Sequence, residues 1–299
     1  MEATELKYPM VASLVFGEPW ALKPEVYQTI CELVRFRAAG GKLTAEEIQD
    51  RIGAAPVRRG AARTGAVAVM PLHGVLVQRL GVLTATSGGT GLDAFGVAFR
   101  QMVADPDVGA VVIDVASPGG SVAGVQELWQ TIMDSRGSKP IVAVANSLAV
   151  SAAYWIATAA DEIVMAPSGE VGAIGVFLAH EDVSEAQAKE GVKTTLIAAG
   201  RKKVDGSPFA PLTDEARADI QAKVDTFYDM FVDAVARGRG VDKSEVLEGF
   251  GEGGTVLARD AVRMKMVNRV DTLQGTIDRL IGSRRSSPPS PDRRRMALL

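Results

Sequence analysis

Two short stretches carry residue types able to do covalent chemistry. Ser117-Pro118-Gly119-Gly120-Ser121 lies between an apolar strand pattern and a helical one. Glycines there let the backbone turn sharply and approach a ligand, and free N–H groups in the first turn of the helix can hold an anion or oxyanion. The same residues also read as an ordinary strand–helix turn. Ser151 stands near the start of a helix entered directly from the strand 141–145, with the small neighbours Ala152 and Ala153. A serine so placed projects above the strand ends, and the Ala152 N–H is available to a developing negative charge. It reads equally well as a small polar residue filling a helix–helix contact.

A serine nucleophile needs a base. The chain has 2 His, His73 and His180, and 1 Cys, Cys31. A Ser/His/acid triad on His180 would draw on Glu181 or Asp182. The other candidate is Lys203, in AAGRKKVDGSP, adjoined by Arg201 and Lys202 and bracketed by Gly200 and Gly206. A lysine acts as a base only when neutral, which takes burial or a nearby cation. Without either, this is a solvated basic loop. The scarcity of Cys and His also excludes a disulfide framework within one chain and leaves few ligands for a zinc site.

Elements that position these residues follow from the patterning. The chain of 299 residues is 47% hydrophobic and 23% charged, a composition that supports one large or two ordinary globular domains. A formal charge of −3 leaves no basic footprint for nucleic acid. MEATELKYPM lacks a signal pattern. The uncharged stretch Pro140 to Ala160 divides into a strand-like and a helix-like piece, each too short to cross a hydrocarbon core of about 30 Å.

Residues 1–60 read as a small helical extension. Pro24 starts a helix ending at Gly40-Gly41, and Thr44 with Glu47 makes a capping box for a second. Ala54 to Gly65 reads as a linker. From Ala66, short apolar strands alternate with helices: AVAVMPLHGVLV, LDAFGVAFRQMVAD, GAVVIDVA, SVAGVQELWQTIMDS, IVAVAN, the segment around Ser151, DEIVMA, GAIGVFLA, EDVSEAQAKE and KTTLIAA. Such alternation predicts an α/β fold with strands covered on both faces. Residues 213–238 form an amphipathic helix, with Ala216, Ile220, Val224, Phe227, Phe231 and Ala234 on one face. After Arg284 the Pro/Ser/Arg-rich sequence has no periodicity and reads as a disordered tail, 283–299.

Taken in order, VVIDVASPGGSV, KPIVAVANSLAVSAAYWIATAADEIVMAPSGEVGAIGV and LIAAGRKKVDGSPFAPLTDEAR resemble the signal peptide peptidase A family, peptidase family S49. The likeness is greatest to its phage capsid-assembly and head-maturation branch. It spans roughly residues 66–280 and closes on VLARDAVRMKMVNRVDTLQGTIDRL. It implies a crotonase/Clp-protease-like α/β fold, a repeated β-β-α superhelix over 66–282 with a helical C-terminal region. It also implies a Ser–Lys dyad. By motif match the nucleophile falls on Ser151, the base on Lys203, and the oxyanion donors on Gly119 or Gly120 and on Ala152. Departures from the pattern are Ala152 and Ala153 for frequent glycines, Ala116 where an Asp often precedes Ser-Pro, and Met266 and Asn268 in the closing motif.

The resemblance further implies capsid and scaffold proteins as substrates and a setting in the host cytoplasm or procapsid. It implies a homo-oligomer, in which the Ser and Lys of shorter relatives can come from neighbouring protomers. No cofactor, no metal, no membrane anchor and no dedicated nucleic-acid site are expected. A cellular signal-peptide-degrading peptidase and a crotonase-type acyl-CoA enzyme are the alternatives.

Overall fold

The computed structural model describes residues 15, 17–38, 41, 47, 61–79 and 89–285. The capping box at Thr44, residues 54–60 of the expected linker, and the tail from 286 onward lie outside the described residues.

The chain enters through strand β1 (Trp20–Leu22) and helix α1 (Pro24–Ala38). Pro24 at the first helical position has no N–H to leave unpaired. An extended Trp-Ala-Leu strand was not expected in a helical extension; it forms because it is paired along both edges, as described below. The end of the expected linker is also a strand, β2 (Ala62–Thr64), antiparallel to β3 (Val67–His73).

Next comes a β-β-α rhythm. Strand β3 breaks at Gly74, whose φ of 67° suits glycine, and continues as β4 (Leu76–Val77). Strand β5 (Thr90–Gly91) then leads into α2 (Leu92–Ala104). Strands β6 (Ala110–Ser117) and β7 (Gly119–Ser121) precede α3 (Val125–Met133). Strand β8 (Ile141–Val150) precedes α4 (Ala152–Ala157), followed by β9 (Glu162–Met165) and β10 (Glu170–Gly172). Among the described residues the strands make two sheets. The larger runs β11-β10-β8-β6-β3-β2, with β9 beside β8; the smaller runs β1-β7-β4-β5. Here β11 is Thr255–Leu257 and β12, which pairs with β9, is Arg269–Val270. The helices after α4 are α5 (Ser184–Lys189), α6 (Asp214–Arg239), α7 (Lys243–Gly249), α8 (Ala258–Arg263) and α9 (Leu273–Arg285). The class is α/β.

The central strands β3, β6, β8 and β9 are parallel, so both of their faces are covered. On one face Ile113, Val115, Ala143 and Ala145 pack under α2, α3, α4 and the buried half of α6 (Asp214–Arg239). On the other, Val112, Val142, Val144 and Val164 meet Ile277 and Leu280 of α9 (Leu273–Arg285). That helix runs three residues beyond the expected domain end at 282.

Three expectations are corrected. Ser-Pro-Gly-Gly does not enter a helix: residues 119–121 are a strand, and α3 begins only at Val125, because β7 is held between β1 and β4. Strand β8 does not end at Asn146 but continues to Val150, its last residues pairing with β10. KTTLIAA forms no strand, since among the described residues no strand pairs with it; Leu196 and Ile197 are exposed there.

Candidate active site

Ser151 sits at the junction of β8 and α4, with φ 57° and ψ −127°. A non-glycine residue in this region stores backbone strain, which persists only where the surroundings over-determine it. They do so here. The Ser151 N–H donates to the Gly172 carbonyl at 2.7 Å, and the Ser151 carbonyl accepts from the Trp155 N–H at 3.0 Å. The Ser151 side chain makes no capping bond to the helix it begins.

Helix α4 is buried on every side, which keeps the serine in place. The Tyr154 hydroxyl donates to the Met266 carbonyl at 2.9 Å. The Trp155 ring stacks on Phe231 with centroids 4.6 Å apart. Trp129 Nε1 donates to Thr158 Oγ1 at 3.0 Å, and the Arg136 guanidinium donates to the carbonyls of Thr158, Ala159, Ala160 and Gly238. Burial raises the Tyr154 phenol above its ordinary range, so it stays a donor.

The glycine turn meets this serine from the neighbouring strand. Gly119 has φ 103°, and a Cβ placed on it would overlap the Ala21 carbonyl oxygen and stand 2.9 Å from the Ser151 Cβ. Gly120 is enclosed differently, pairing with Ala21 on one side and Leu76 on the other. Of the two glycines, Gly119 is the one against Ser151. The turn is tied by Ser117, whose Oγ donates to the Gly74 carbonyl at 2.7 Å and accepts from the Gly119 N–H at 3.2 Å. Ala152 follows Ser151 and is fully buried.

Lys203 is not brought to this cluster within one chain. It is exposed, in the turns between Gly200 and Gly206, with its N–H bonded to the Gly200 carbonyl at 3.0 Å. Its neighbours fasten that loop to α6: Arg201 pairs with Glu215 and Lys202 with Asp219. His180 is bonded through Nε2 to the Ser207 carbonyl at 3.1 Å, at the far end of the same loop. Among the described residues neither His180 nor Lys203 is hydrogen-bonded to Ser151.

One polar cluster escaped the sequence reading. His73 Nε2 lies 3.0 Å from Asp114 Oδ2, and Asn146 Nδ2 donates to Asp114 Oδ1 at 3.0 Å. These residues come from three adjacent strands, on the face that Val112 and Val144 share. No local motif announces a pair whose members are 41 residues apart.

The signature of peptidase family S49 matches residues 134–284, half of the chain and inclusive of Ser151 and Lys203. The chain belongs to peptidase family S49. It is 33% identical to capsid assembly protease C of Escherichia phage lambda over 264 residues, covering 83% of this chain and 60% of that one. It is 37% identical to head-tail preconnector protein GP5 of Enterobacteria phage P21 over 180 residues, 60% of this chain and 36% of that one. The chain thus spans less than two thirds of the length of these two relatives. Among solved structures it is similar to an enoyl-CoA hydratase from Geobacillus Kaustophilus at 15% identity, with a TM-score of 0.45 over 78% of this chain and 76% of that one.

Among the described residues no helix is long and apolar enough to cross a membrane, and no three His, Cys, Asp or Glu side chains group as metal ligands.

Proposed function

We propose that this protein is a serine endopeptidase working through a Ser151–Lys203 dyad, and that it cleaves capsid and scaffold proteins during phage head maturation. The observation that carries the reading is Ser151 itself: a strained serine at a strand–helix junction, against a glycine of a strand edge, in a chain of family S49. The phage setting draws on the two phage relatives.

In the proposed reaction, Lys203 accepts the Ser151 hydroxyl proton as Oγ bonds to a peptide carbonyl carbon. The N–H groups of Gly119 or Gly120 and of Ala152 hold the oxyanion. Collapse breaks the C–N bond, the leaving amine takes the proton from Lys203, and an acyl-serine remains. Water, deprotonated by Lys203, then releases the acid and restores the serine.

The lysine reaches the serine from a second copy of the chain. A lysine works as a base where it is buried, and Lys203 is exposed in one chain. The segment that carries it also exposes Val192, Leu196, Ile197 and Val204, the last at 37% and Ile197 at 97%. An apolar run of this kind, at the side of the required base, fits burial against a neighbouring protomer.

The test is expression with capsid and scaffold proteins and comparison of Ser151→Ala, Lys203→Ala and His180→Ala. The dyad requires loss of processing in the first two and retention in the third. Processing by Lys203→Ala together with loss in His180→Ala moves the base to His180.

A further inference from the structure

Ser151 is only 2% exposed, although a nucleophile must be reached by its substrate. What lies across it is the chain's own N-terminal strand. On one edge β1 is antiparallel to β7, in the register Trp20 with Ser121, Ala21 with Gly120 and Leu22 with Gly119. The pairing is prolonged by Val122 N–H to the Pro19 carbonyl and Lys23 N–H to the Pro118 carbonyl, each at 3.1 Å. On its other edge, Trp20 exchanges two hydrogen bonds with Phe177, at 2.8 and 2.9 Å.

Both walls of this slot issue from the site. One is the glycine strand itself. The other is the segment leaving Gly172, whose carbonyl holds the Ser151 N–H, and arriving at Phe177. The Ala21 carbonyl oxygen and the Ser151 Cβ both fall within 3 Å of the point where a Gly119 Cβ would be. An extended backbone between the edge of β7 and the bridging residue Phe177, with a carbonyl beside the serine and the glycine turn, has the geometry of a peptide bound by strand addition.

Strand β1 is also packed as part of a separate unit. Trp20 and Leu22 belong to a small apolar cluster with Val15, Tyr27, Cys31 and Val75, and this cluster is distinct from the central core. Its attachments to the rest include the ring contact of Tyr27 on Phe177 at 5.1 Å, the Lys23–Glu170 ion pair at 3.0 Å and the Arg35–Glu181 pair. Of the strand's three residues only Ala21 belongs to the central core, so departure of the unit uncovers one small side chain there.

The geometry points to a new role for these residues: the slot between β7 and Phe177 is the binding site for an extended peptide, and Trp20–Leu22 fills it in cis as an inhibitor. The inference rests on the peptidase reading for the purpose of the slot. Recognition is by backbone, so it admits varied sequences. The exception is the position of Ala21, which is fully buried among core residues and admits a small side chain.

The test uses the full chain with Trp20→Cys and Ser121→Cys, a directly opposed pair in a register where a disulfide can close. Binding of a fluorescent peptide with the sequence EPWALKP is read by anisotropy, oxidised and reduced. If the strand is the occupant, oxidation weakens binding by about tenfold or more, since only the open fraction of molecules competes for the peptide. Equal affinity in the two states, or no binding in either, overturns the proposal. A second measurement needs no variant: hydrogen exchange of residues 19–23 in the unmodified chain. Exchange there must quicken when excess peptide is added, and unchanged protection also overturns the proposal. Labelling of Ser151 by a fluorophosphonate separates the two readings. Peptide binding that switches with oxidation, without any Ser151 labelling or peptide cleavage, defeats the peptidase reading and leaves the slot standing.

Discussion

Gly119 and Ser151 are in contact across two strands: the space a side chain on Gly119 would need is bounded by the Ser151 Cβ, 2.9 Å away. The glycine has φ 103°, so a side chain there is strained as well as crowded. Gly119→Ala should therefore lower stability by about 1–3 kcal/mol and reduce peptidase activity far more than that loss explains. Denaturant midpoints and peptide cleavage rates check this. A folded Gly119→Ala protein of full activity would show that this turn plays no part in the chemistry.

The strain at Ser151 gives a second expectation. Its φ of 57° and ψ of −127° suit glycine better than alanine. Ser151→Ala and Ser151→Gly should both be inactive, with Ser151→Gly the more stable by about 1 kcal/mol. Thermal unfolding of the two variants side by side measures the difference, and a less stable glycine variant contradicts the strain.

Lys203, exposed in one chain, predicts complementation. Ser151→Ala and Lys203→Ala proteins, each inactive alone, should recover part of the wild-type rate when mixed and allowed to exchange subunits. Mixed assemblies then contain sites with an intact serine from one variant and an intact lysine from the other. No recovery after demonstrated subunit exchange places both residues of the dyad in one chain.

Arg136 supports the site from beneath. Its guanidinium donates to four carbonyls: three just after α4 and one at Gly238, near the end of α6. Burial lowers its pKa from the usual arginine value, yet the carbonyls keep its donors occupied. Arg136→Ala should destabilise the protein by about 3 kcal/mol. Arg136→Lys should recover only a part, because an ammonium cannot reproduce the planar fork.

Alkaline pH should loosen the N-terminal unit. Burial raises the pKa of the Cys31 thiol and of the Tyr27 phenol, both in the cluster that holds β1 and α1. A raised folded-state pKa contributes stability that is complete below the unfolded value and lost as pH rises through the folded one. The loss should begin above about pH 8.5 for the thiol. Alkylation of Cys31, the chain's sole cysteine, should therefore accelerate above that pH by more than the growth in thiolate accounts for. An acceleration matching thiolate growth alone would mean the cluster stays closed.

Much of the site was legible because its signals are local. Ser151 after an apolar strand and before small residues, and two glycines after Ser117-Pro118, are patterns within a few residues, and the α/β alternation follows from apolar periodicity. Where elements were misplaced, pairing with distant strands had decided them. Ala149 and Val150 look helical by composition but extend because β10 lies alongside. KTTLIAA looks like a strand but has no strand partner among the described residues.

The sequence by itself determined which side chains can react and in what order they occur, since those are properties of residue type and short spacing. Only the tertiary structure decided which of them meet. It set Gly119 rather than Gly120 against Ser151, left Lys203 exposed on the loop fastened to α6, and paired His73 with Asp114. It also laid Trp20–Leu22 between β7 and Phe177. Backbone hydrogen bonds of this kind carry no residue code: any extended segment can make them, and the folded chain selects the one whose anchors, Trp20 and Leu22, find an apolar cluster to enter.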